Sequence, residues 1–166
     1  MKAIGMVFIF LTCTGAGIIK SFEYSNAENE LYAFISFIRY IKREVTIYLT
    51  RQQEIFDRFE NELLEKNGFL PLLRSKEITD EKSSLYHALK EFENRLCINK
   101  ESQSVIFEFS ESFGRMSGKE QEEKCNVTIN YLEEIYRKEK ENNASRVKLC
   151  RYVGCMVGVG VVLLFL

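Results

Sequence analysis

The chain has 166 residues, room for one domain with its own core plus terminal appendages. Its 23 basic residues almost cancel its 24 acidic ones, and a net charge of -1 offers no field for gathering a phosphate backbone, which disfavours nucleic-acid binding. Five cysteines without a C-x-x-C spacing, and His87 as the one histidine, fit neither a disulfide framework nor a zinc site.

Met1 and Lys2 precede an apolar run, Ala3 to Ile19, closed by Lys20. It reads either as a cleaved signal peptide, with Thr14-Gly15-Ala16 as the small-residue cleavage site, or as a membrane helix that is retained. A lipoprotein site at Cys13 is disfavoured by the Thr12 that precedes it. Ser21 to Glu30 is polar and reads as a short spacer. Leu31, Phe34, Ile38, Ile41, Val45 and Tyr48 then recur at spacings of three and four, which puts them on one helix face, with Arg39, Lys42, Arg43 and Glu44 around the rest.

Thr50 is placed to cap a second helix carrying Ile55, Phe56, Phe59 and Leu63, with Asn67-Gly68 as a left-handed stop. Phe69 to Leu73, with Pro71, predicts a short third helix. Thr79 and Asp80 open a fourth with Leu85, Ala88, Leu89, Phe92 and Leu96 on its buried side. Ser102 or Glu101 opens a fifth, with Val105, Ile106, Phe109 and Phe113, that closes at Gly114. The sixth starts at Ser117 or Gly118, and Cys125, Thr128, Ile129, Leu132, Ile135 and Tyr136 form its apolar face.

From Arg137 to Ser145 that face vanishes. A helix polar all round cannot be buried against a core, so this stretch reads as a stalk about 13 Å long. It leads to Tyr152–Leu166, an uncharged apolar run. Alone that run spans only about 22 Å, short of the roughly 30 Å hydrocarbon core. Starting the helix at Val147 closes the gap, if Lys148 and Arg151 lay their stems along the bilayer and lift their charges to the interface. The alternative is a terminal helix packed inside a soluble domain.

Lys and Arg decide the topology. Lys20, Arg137, Lys138, Lys140, Arg146, Lys148 and Arg151 lie on the inner sides of the two runs, against Lys2 alone outside them. The positive-inside rule then places the middle of the chain in the cytoplasm and requires that the first run be kept. Lys20, Arg146, Lys148 and Arg151 form a basic collar at the interface. Gly154 and Gly158 make a G-x-x-x-G pattern, and Gly15 and Gly17 offer small residues in the other run, so these four are the candidate helix-packing positions, within one chain or between neighbours. The expected layout is all-α, a small antiparallel bundle flanked by two transmembrane helices. The first span covers 1–20 and the second 147–166. Between them the cytoplasmic region 21–146 has its core at 31–136 and its polar stalk at 137–146.

Nothing in the sequence supplies a nucleophile with a base, a metal cluster or a phosphate loop, so no catalytic, cofactor or metal residue is assigned and no enzymatic activity is expected. His87 reads as a solvated or satisfied side chain. The runs Glu120, Glu122, Glu123 and Glu139, Glu141 read as solvated helix surface. Asn126 and Asn143 begin glycosylation sequons that a cytoplasmic location makes accidental. Binding would fall to a few exposed aromatic or arginine side chains, and Phe22, Tyr24, Phe37 and Tyr40 are the open candidates. A membrane-anchored helical regulator or fusion factor acting through groove or coiled-coil contacts is the rival reading.

The layout resembles the stage III sporulation protein AB family of endospore-forming bacteria. The resemblance rests on the glycine-bearing first run, the Leu31 to Tyr48 helix, Phe113-Gly114 followed by Gln121, and Lys148-Leu149 leading to Gly154 and Gly158. Where the family commonly carries a glycine and then Thr-Pro-Leu after the Tyr48 position, this chain has Leu49-Thr50-Arg51-Gln52. The resemblance implies a non-enzymatic scaffold in the mother-cell membrane, part of a channel complex linking mother cell and forespore. Its helical domain would be similar to the cytoplasmic domains of secretion-system platform proteins. The partners it implies are the other membrane proteins of that complex and a cytoplasmic ATPase of the stage III AA type, while the apolar runs and their glycines point to membrane lipid and leave open contact with further copies of the chain.

Overall fold

The chain was analysed as a computed structural model that describes the backbone of residues 2–48, 52–75, 83–114 and 118–164. Towards the two ends, side chains are described at Ile19, Phe22 and from Tyr24 on, and after Asn143 at Ser145, Lys148, Leu149, Tyr152, Val153 and Met156. Every regular element among the described residues is helical, so the chain is all-α.

Helix α1 runs unbroken from Lys2 to Arg43. The spacer expected at Ser21 to Glu30 is therefore helical, because the stretch is polar but holds no glycine or proline to interrupt backbone hydrogen bonding. Leu31, Phe34, Ile38 and Ile41 are buried as their spacing predicts, but so are Ala33, Ile35 and Phe37. An apolar surface that extends beyond one stripe marks a helix packed on several sides, and this part of α1 runs through the core. It ends in a π-helical turn, Glu44–Tyr48.

The second predicted helix is two. Helix α2 spans Gln52–Arg58 and α3 spans Glu62–Lys66. Asn61 caps α3, its side chain accepting from the backbone N–H of Leu63 and of Leu64 at 3.1 Å each. Arg74, further along the chain, donates to the carbonyls of Phe56 at 3.2 Å and Phe59 at 2.7 Å, satisfying acceptors freed where α2 stops. Helix α3 ends at Gly68 with φ +90, the left-handed stop read from the sequence.

Helix α4 covers Phe69–Ser75. Helix α5 covers Ser84–Phe92 and is capped by Ser83, whose hydroxyl accepts from Tyr86 N–H at 3.2 Å and donates to the carbonyl of Ser110 at 2.6 Å. A 3₁₀ turn, Glu93–Arg95, follows. Helix α6, Lys100–Ser112, opens at Asn99 rather than at Glu101 or Ser102, since Asn99 supplies the cap that Ser102 N–H bonds. Gly114 has φ +84, and a Cβ there would collide with the Gln52 side chain. Helix α7 is continuous over Gly118–Leu164. The expected openers Thr50, Thr79, Asp80 and Ser117 lie outside the described residues.

Two compact units result. One is Asn29–Tyr136, and the other comprises Met1–Glu28 and Arg137–Leu166. The core of the former is built on phenylalanine. Phe37 meets Phe59 with ring centroids 4.9 Å apart, Phe34 meets Phe69 at 5.1 Å, and Phe69 meets Phe92 at 5.6 Å, so one aromatic cluster ties α1 to the α2–α3 break, α4 and α5. Leu132 of α7 is fully buried in the same core.

Among the described residues no helix is long and apolar enough to cross a membrane. The two spans expected at 1–20 and 147–166 are helical over 2–20 and 147–164. Most of their side chains, with Lys20, Arg146 and Arg151 and the positions Gly15, Gly17, Gly154 and Gly158, lie outside the described residues. Of the collar and packing positions only Lys148 is described, and it is exposed.

Candidate functional site

Two ionisable groups of the Asn29–Tyr136 unit, Glu30 and Cys125, are buried in its packing. Glu30 is 3 % exposed, and its carboxylate accepts from Cys97 N–H at 2.6 Å, Ile98 N–H at 3.2 Å and the Asn67 amide at 3.0 Å. Burial pushes its pKa above the usual carboxylate value, and the three hydrogen bonds pull the other way. One side chain thus joins α1 to the turn before α4 and to the segment leading into α6. Asn67 is held in turn, its side-chain oxygen accepting from Phe69 N–H at 3.0 Å.

Cys125 is fully buried, and burial lifts its thiol to about 11, far from the range of a thiolate nucleophile. Cys97 is exposed. His87 is half-buried, and its ring lies against that of Tyr86. Among the described residues no three His, Cys, Asp or Glu side chains gather to hold a metal ion.

Two grooves flank α7 within this unit. On the α6 side lies an open groove of about 710 Å³ with Val105, Val127 and Tyr131 on its walls and Glu101, Glu108, Glu134 and Lys124 as its charges, a net of −2. Val127 is 59 % exposed and Tyr131 46 %. Lys124 pairs with Glu108, and the Tyr131 hydroxyl donates to Glu101 at 3.1 Å. On the α1 side a groove of about 450 Å³ is lined by Arg39, Lys42 and Arg43 with Glu122 opposite, a net of +2. Arg39 bonds Glu133 at its edge, and Arg43 lies over the Tyr40 ring, 3.7 Å from the buried carboxylate of Glu44. The π turn places Ile47 at the mouth of this groove, 65 % exposed.

The four aromatic candidates separate. Phe37 belongs to the core and Tyr40 is half-buried against Phe59, while Phe22 is exposed and Tyr24 half-exposed. The two grooves are not legible in the sequence. Their charges are readable as helix surface, but which helices adjoin is a property of the tertiary packing.

Fold and site together define an all-helical chain with a phenylalanine-built core and two charged surface grooves beside α7. The chain belongs to the stage III sporulation protein AB family, whose sequence model matches residues 2–166. Membership gives it a role in stage III of sporulation. Comparison with curated proteins and with solved structures yields no match.

Proposed function

We propose that this chain is a non-enzymatic, membrane-mounted scaffold subunit of the sporulation channel complex. Two spans, 1–20 and 147–166, hold the helical unit on the cytoplasmic face of the mother-cell membrane, where it anchors or couples a cytoplasmic ATPase. The observation that carries the membrane reading is a concentration of exposed apolar side chains in the unit formed by the chain ends. Ile19 is 64 % exposed, Phe22 61 %, Leu149 61 %, Tyr152 70 % and Met156 75 %. Exposed apolar side chains gathered in one unit mark a surface for a membrane or a partner, and a bilayer with its interface would cover these. The Lys and Arg asymmetry, concentrated on the inner sides of the two runs, supports this orientation.

Support for the scaffolding role comes from where the reactive groups sit. The carboxylate and thiol that burial perturbs most clearly, Glu30 and Cys125, are locked into the core. Perturbed groups in an active site instead face a cleft. Extraction tests the mounting directly. The chain stays in the membrane pellet at alkaline pH and is released by detergent, and full release by alkaline carbonate alone contradicts two spans. Co-purification with the detergent-solubilised chain tests the ATPase. Retention that survives loss of nucleotide hydrolysis supports a docking scaffold, and absence of retention in every nucleotide state contradicts it.

A further inference from the structure

The two grooves beside α7 have opposite net charge, and each has an exposed apolar feature. We propose that they bind each other between copies. The π turn of one chain, with Ile47 as an apolar knob and Lys42 and Arg43 behind it, seats in the α6–α7 groove of the next. The fit is of two kinds. Ile47 would cover Val105 and Val127, exchanging apolar surface exposed to water for contact. Lys42 and Arg43 would meet the rim carboxylates of Glu101 and Glu108, three acids against one lysine in that groove.

Existing ion pairs do not block the contact. Arg39–Glu133 and Lys124–Glu108 are solvent-exposed on at least one partner, and such pairs exchange at little cost. Lys42 has no ion-pair partner among the described residues. A net charge of −1 on the whole chain adds little repulsion between copies. Where each copy's groove takes the knob of a different neighbour the contact is heterologous, and successive copies build a ring or an open row. The proposal concerns the Asn29–Tyr136 unit alone and holds whichever way the chain is mounted.

The test uses the purified full-length chain in detergent, with molar mass followed by light scattering over a concentration series. Wild type associates, and the association weakens as salt is raised. Lys42→Glu with Arg43→Glu reverses the knob side, and Glu101→Lys with Glu108→Lys reverses the groove. Each double variant alone shifts the association midpoint upward by about tenfold or more, since like charges then face each other. Mixing the two restores association, because each reversed surface finds a complement. Circular dichroism and melting of each variant confirm that folding is retained. Crosslinking, with Cys13, Cys97, Cys150 and Cys155 changed to alanine, adds the geometry: Ile47→Cys on one tagged copy joins Val127→Cys on another, and neither joins itself. A chain that stays monomeric throughout, reversals without effect, a mixture that fails to reassociate, or crosslinks solely between two Ile47→Cys copies overturns the proposal.

Discussion

Helix α7 holds two regions that differ in everything except backbone conformation. From Gln121 to Ile135 its buried residues, Gln121, Cys125, Thr128, Ile129, Leu132 and Ile135, recur every three or four positions. From Arg137 onward the described side chains are mostly exposed, first Arg137, Lys138, Lys140 and Glu141, and then Leu149, Tyr152 and Met156. The helix does not end where the packed unit ends. Helix propagation needs only local hydrogen bonds and a chain without breakers, whereas burial needs an apolar stripe. A unit boundary in this protein is therefore written in side-chain pattern and not in secondary structure. Helix α1 repeats the lesson, passing from a polar segment into a core rod with no break.

The same substitution in the two regions of α7 should have very different effects. Leu132→Ala removes a fully buried side chain from α7 and is expected to cost about 2–5 kcal/mol of stability. Leu149→Ala, in the same helix but 61 % exposed, is expected to change the unfolding of the Asn29–Tyr136 unit by less than about 0.5 kcal/mol. Denaturant titration followed by circular dichroism measures both. Equal effects would mean that the two stretches share one packed environment.

A smaller effect sharpens where the packed unit begins. Glu30→Ala leaves the N–H groups of Cys97 and Ile98 without their acceptor and is expected to cost about 2 kcal/mol, with Glu30→Gln losing less because an amide oxygen still accepts. The pH dependence carries the opposite sign from that of an ordinary salt-bridged acid. Burial raises the folded-state pKa of Glu30 above its unfolded value near 4.5, so ionisation costs more in the folded chain. The stability this group contributes is fully present below pH 4.5 and falls as pH rises through the raised value. Thermal melts of wild type and Glu30→Gln across that window should show the wild type gaining relative to the variant as pH falls.

The smallest expected effect belongs to the surface tie between α1 and α7. A double-mutant cycle on Arg39→Ala and Glu133→Ala should give a coupling of about 0.2–1 kcal/mol, diminished by salt, because both side chains are nearly half exposed. A larger value would mean that this pair, and not the apolar face of α7, fixes the helix against α1.

Much of the core was legible because burial follows spacing. Leu85, Ala88, Leu89 and Phe92 fall on one face of α5 and all four are buried, and Asn67-Gly68 stops α3 as its composition requires. What escaped depends on distant partners. The break between α2 and α3 is stabilised by Arg74, which reaches back to the carbonyls of Phe56 and Phe59. Glu30 looks like one more polar residue in a polar stretch, and only Asn67, Cys97 and Ile98, brought to it by folding, make its burial possible. The grooves escaped for the same reason, since Lys42 and Glu101 declare their charges locally but not their neighbours.

Cysteine labelling tests directly whether the helical unit is cytoplasmic and mounted by the two apolar runs. Cys97 is exposed while Cys125 is buried with its thiol lifted to about 11, so the two report different things. In a full-length variant with Cys13, Cys150 and Cys155 changed to alanine, a membrane-impermeant maleimide is added to intact cells. No labelling is expected until the membrane is permeabilised, then labelling of Cys97 alone, with Cys125 reacting only after denaturation. Labelling of Cys97 in intact cells would contradict it.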